Sequence, residues 1–132
     1  MRGLIVRPVA AALALLAVWV GVAPYTGRWF GFRVATRPVV EVVDHVLPAV
    51  AVLAVAAFGV ATSRLPWSVT LVAVLAALWT FATHVPLLVD AGRGFVPWAT
   101  ALWHSVPGAV LFAATVGVAA TAWRHESAEG RP

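Results

Sequence analysis

The stretch PVVEVVDHVLPAVAVLAVAAFGVA, Pro38 to Ala61, decides how the chain is read. From Val39 to Ala61 it is long and apolar enough to cross a bilayer, whose hydrocarbon core of about 30 Å needs roughly 20 such residues. Yet it opens with three ionisable groups, Glu41, Asp44 and His45. Charge inside lipid is costly and faces the interior of a bundle or a wet cavity. A spanning helix with a polar head therefore predicts neighbours that meet that head.

Those neighbours are present. Leu4 to Ala23, interrupted only by Arg7, forms a second apolar run, and Trp67 to Val89 and Trp98 to Trp123 form two more. Pro24, Pro38, Pro66 and Pro97 stand at predicted starts and ends, where a missing N–H does least harm. Trp29, Trp67, Trp98 and Trp123 lie near the ends as well, at the depth indole prefers. The first run has a signal-like start but ends in VGVAPY, without an A-x-A cleavage site, and reads as a retained helix. The expected fold is an all-α integral membrane bundle of four transmembrane helices in one domain, residues 1–123. The polar residues 124–132 are expected to fray as a tail.

Composition agrees. The 132 residues are 62% hydrophobic and 11% charged, with mean hydropathy +0.94; soluble domains average roughly 25% charged. With no cysteine, disulfides, thiolate metal sites and thiol catalysis are excluded. The net charge of +4 comes from arginine alone. The arginines sit at the ends of apolar runs rather than on one helix face, as membrane-flanking residues do, and no nucleic-acid partner is expected. Alanine, valine and arginine without lysine point to a GC-rich genome and a prokaryotic plasma membrane. Arginine is nearly balanced between the two sides; the signal-like start favours a cytoplasmic amino terminus.

The opening stretch recurs. Pro38, His45 and Pro48 have the same spacing as Pro97, His104 and Pro107, and GVAT at Gly59–Thr62 is echoed by GVAA at Gly117–Ala120. This predicts a duplicated two-helix hairpin, repeat 1 about 4–64 and repeat 2 about 65–124, related by a pseudo-twofold axis along the membrane normal.

The repeat brings three histidines to one depth. His45 and His104 follow Pro38 and Pro97 by seven residues, and His84 precedes Asp90 by six. At ~1.5 Å per residue, each lies roughly 9–10 Å below its helix end. Glu41, Asp44 and Asp90 lie slightly above them. Glu41, Asp44, His45 and Pro48 share one helix face. Thr80 and Thr100, one turn before His84 and His104, are candidate hydrogen-bond partners, and Trp79 and Trp103 are candidate pocket walls.

Neutral imidazoles with carboxylates suit Cu, Zn or Fe, as ligands and as groups that orient them. His45 and His104, as repeat equivalents, also suit the two axial positions of a haem. A transition metal or haem bound by His45, His84 and His104 with Glu41, Asp44 and Asp90 is the leading expectation. Two other classes compete with it: an accessory subunit of a larger membrane complex or homo-oligomer, with the polar layer structural, and a proton or small-solute conduit. Against the conduit, the polar groups all lie near one face. The aromatic, basic loop Tyr25–Arg37 reads as an interfacial anchor. GRG at Gly92–Gly94 reads as a tight turn. No Ser-His-Asp nucleophile system is indicated, and nothing assigns an enzymatic reaction.

Overall fold

A chain in lipid must satisfy its backbone N–H and C=O groups internally, so each apolar run folds as a helix. The computed structural model describes residues 5–32 and 37–130. Among them there is no strand, and four helices are long and apolar enough to cross a membrane, the architecture of an integral membrane protein. Helix α1 (Val6–Thr26) ends in a 3-10 turn, Gly27–Phe30. Helix α2 (Pro38–Thr62) contains one wide π-turn, Val42–Val46. Helices α3 (Trp67–Gly92) and α4 (Trp98–Glu129) follow. The expected start at Leu4, the arginines Arg2, Arg33 and Arg131, and the last residues of the expected tail lie outside the described residues.

Prolines set three starts: Pro38 opens α2, and Pro66 and Pro97 precede α3 and α4. Pro24 differs from expectation. It lies inside α1, which continues to Thr26; a helix in lipid tolerates an interior proline because neighbouring groups re-satisfy the freed backbone. The most extensive helix pairs are α1 with α2 and α3 with α4; α2 on α3 and α1 on α4 close the ring.

The buried seam has a common period. Helix α1 buries Val6, Ala10, Leu13, Ala17, Val20 and Pro24. Helix α2 buries Glu41, His45, Pro48, Val52, Val55 and Gly59. Thr70, Ala73, Ala77, Thr80 and His84 do the same in α3, and Ala101, His104, Gly108, Leu111 and Thr115 in α4. Steps alternate between three and four residues, the 3.5-residue repeat of left-handed bundles. Size, not hydropathy, separates inside from outside. Alanine, glycine and threonine dominate the seam, while Leu15, Leu75, Trp79 and Val110 face outward. Lipid removes the hydrophobic drive between helices, so close packing of small residues holds them together. All three membrane histidines sit on the seam.

Gly59 shows how tight the seam is. A Cβ there would lie 2.9 Å from Leu65 Cδ2 and 3.1 Å from Ala10 Cβ, and Leu65 is itself fully buried. We predict that Gly59→Val destabilises the bundle by about 1–3 kcal/mol, read by thermal unfolding in detergent. A wild-type midpoint would mean that this crossing is loose.

The residues after Trp123 continue as helix to Glu129, the end of α4. The Glu126 carboxylate accepts the Trp67 backbone N–H at 2.9 Å, one of the donors that open α3. The Trp67 and Trp123 rings meet edge to face at 5.0 Å. These contacts give the polar end of α4 a tertiary partner.

Candidate functional site

Pro48 has no N–H to offer the Asp44 carbonyl, four residues earlier. Just before it, the Leu47 N–H reaches the Val42 carbonyl, and the helix widens to a π-turn that contains Asp44 and His45. Such turns often occur at functional positions. Pro107 follows His104 at the same spacing, yet α4 stays α-helical there. Proline thus frees the carbonyl without by itself dictating the wide turn. Glu41 and His45 are buried and Asp44 is half-buried. The Glu41 Oε2 atom stands 3.4 Å from His45 Nδ1.

His84 and His104 are oriented differently. His84 Nδ1 lies 2.6 Å from the Thr80 carbonyl and His104 Nδ1 lies 2.9 Å from the Thr100 carbonyl. A carbonyl only accepts, so each Nδ1 carries the hydrogen, and in the neutral ring Nε2 keeps the lone pair. The expected partnership with Thr80 and Thr100 is therefore made by their backbone rather than their hydroxyls. The Thr80 hydroxyl donates to Ala76 at 3.4 Å. Thr83, which the sequence reading did not single out, places its hydroxyl 3.2 Å from His84 Nδ1.

The predicted layer converges. Glu41, Asp44, His45, His84, Asp90 and His104 all line one cavity of about 230 Å³, with Thr83, Val40, Pro86 and Leu87 completing its wall. The His45 and His84 rings meet edge to face, 4.5 Å between centroids. His45 is 3% exposed, and neither of its ring nitrogens has a hydrogen-bond partner. Among the described residues, no three histidine or carboxylate groups already stand together as a metal shell. The cavity collects histidines and carboxylates that are not arranged as a coordination sphere.

The two tryptophans do not line this cavity. Trp79 is 52% exposed; it immediately precedes Thr80 on the helix and so falls off the seam. Trp103 turns away from its neighbour His104. Its indole N–H donates to the Ala23 carbonyl at 2.9 Å, and its ring packs on Phe30 and Phe32. That contact ties the described part of the aromatic loop to α4. Ser105, beside His104 but outside this cavity, is buried and donates to the His84 carbonyl at 3.4 Å. Because α3 packs along this part of α4, the position beside His104 also faces a helix. His125 is exposed near the end of α4, apart from the cavity. Compared with known protein families, characterised proteins and solved structures, the chain matches none.

Proposed function

We propose that this membrane protein binds one transition-metal ion, zinc or copper foremost and iron less readily, through His45, His84 and His104. The observation that carries the reading is the convergence of the three histidines on one cavity. Nδ1 faces a carboxylate in His45 and a carbonyl in His84 and His104, which leaves Nε2 for a ligand. Metal-bound histidines are held as His84 and His104 are, with the far nitrogen fixed by an acceptor; His45 Nδ1 lies 3.4 Å from the Glu41 carboxylate without a hydrogen bond. Glu41, Asp44 and Asp90 offset the ion's charge and are available as further ligands. Because no shell is preassembled, binding requires the side chains to draw together. The cavity, about 230 Å³, is below the roughly 300–1,000 Å³ of ordinary small-molecule pockets; this favours an ion over the bulkier haem.

The proposed duplication of the hairpin supports the same reading. Aligning Pro38 with Pro97 places Glu41 opposite Thr100 and His45 opposite His104. Glu41 brings its carboxylate to 3.4 Å from His45 Nδ1, and Thr100 accepts from His104 Nδ1 through its backbone carbonyl. With the amino terminus assigned to the cytoplasm, the site lies near the outer face.

Elemental analysis and a visible spectrum of detergent-purified protein, wild type beside His45→Ala and His104→Ala, test the proposal. About one metal per chain, lost in both variants, is expected. A Soret band would replace the ion with haem. Absence of metal and chromophore after reconstitution would sink the cofactor reading and leave a proton-handling or structural polar layer in an accessory subunit.

A further inference from the structure

We infer that the groove between α3 and α4, at the end of the bundle away from the histidines, holds one acyl chain of an anionic phospholipid whose phosphate lies at Arg124. The groove is a shallow, open trough of about 350 Å³ lined almost wholly by apolar groups. Leu71 and Val74 form one wall, and Val116, Ala119 and Ala120 the other. The small side chains of Ala119 and Ala120 keep it open. From Trp67 to Val74 it runs about 10 Å along the helix at ~1.5 Å per residue, the length of a chain segment lying parallel to the helices.

The mouth of the groove identifies the headgroup. Trp67 and Trp123 meet edge to face beside it, and Arg124 completes its rim. Glu126, the nearest acid in sequence, accepts the Trp67 backbone N–H. Arg124 makes no ion pair among the described residues. Arg7 and Arg64 belong to the same end of the bundle, whereas Glu41, Asp44 and Asp90 lie at the other. An apolar slot with indoles at its mouth and an unpaired guanidinium on its rim matches a lipid with a negative headgroup. A basic residue near the bilayer surface favours such lipids, and arginine pairs with phosphate through two parallel hydrogen bonds.

The test is native mass spectrometry of protein released from nanodiscs containing equal phosphatidylglycerol and phosphatidylcholine. Wild type is expected to retain one phosphatidylglycerol per chain. Arg124→Gln is expected to lower that retention about fivefold. Ala120→Leu, which fills the slot, is expected to abolish it while leaving Arg124 in place. Equal retention of both lipids, or unchanged retention in Arg124→Gln, overturns the inference. So does a dimer that Ala120→Leu dissociates, which would assign the groove to a second copy of the chain. Metal content is not read in this experiment, so its outcome is independent of the histidine site.

Discussion

Metal affinity is expected to fall more than about 100-fold when His45, His84 or His104 is replaced by alanine. Loss of a group that merely orients a ligand costs roughly 10–100-fold, and loss of the ligand itself exceeds that. The smaller figure is expected for Glu41→Leu, which removes the carboxylate facing His45 Nδ1 but leaves the imidazole. Thr100→Ala supplies the contrast. It deletes a hydroxyl but keeps the carbonyl that holds His104, so affinity should stay within about threefold, well short of that orienting-group loss. Competition titration against a chromophoric chelator measures all of them. A strong loss in Thr100→Ala together with a silent His104→Ala would show that the hydroxyl, not the imidazole, is the ligand.

The second large effect concerns backbone shape. Pro48→Ala restores a donor opposite the Asp44 carbonyl and allows the turn at Val42–Val46 to close as an α-turn. An α-helix rotates by about 100° per residue, and a wide turn absorbs one extra residue. Closing it rotates Glu41 and Asp44 by about that angle relative to Val52 and Val55, away from the cavity. We therefore expect metal affinity to fall roughly 10–100-fold, as when orienting groups are lost. Stability should hold or rise, since an interior proline costs a helix ~3 kcal/mol. Thermal unfolding beside metal titration separates the two effects. Full affinity in a stable Pro48→Ala protein would mean that the wide turn does not position the acids.

Much of the site was legible without coordinates because two simple rules suffice for it. Helix rise turns the distances of His45, His84 and His104 from their helix ends into a common depth. The cost of burying polar groups in lipid turns them inward. Finer contacts escaped those rules. A helical i−4 relation was visible between Thr80 and His84, but side-chain spacing does not say whether hydroxyl or carbonyl accepts. Trp79 was misplaced because its position depends on which neighbour packs beside it.

By itself the sequence determined the four spans, their order and the polar layer. Run length, proline placement and the bilayer's demand for internally satisfied backbone leave little freedom there. Tertiary structure alone decided which face of each helix turned inward, where α4 ended and how α2 passed Pro48. The helices are apolar all round, so hydropathy carries no phase. Inside and outside are distinguished by how closely Ala10, Gly59 and Gly108 let helices approach. Closeness is a property of pairs of helices, and so is the contact between Glu126 and Trp67 that carries α4 past its last apolar residue.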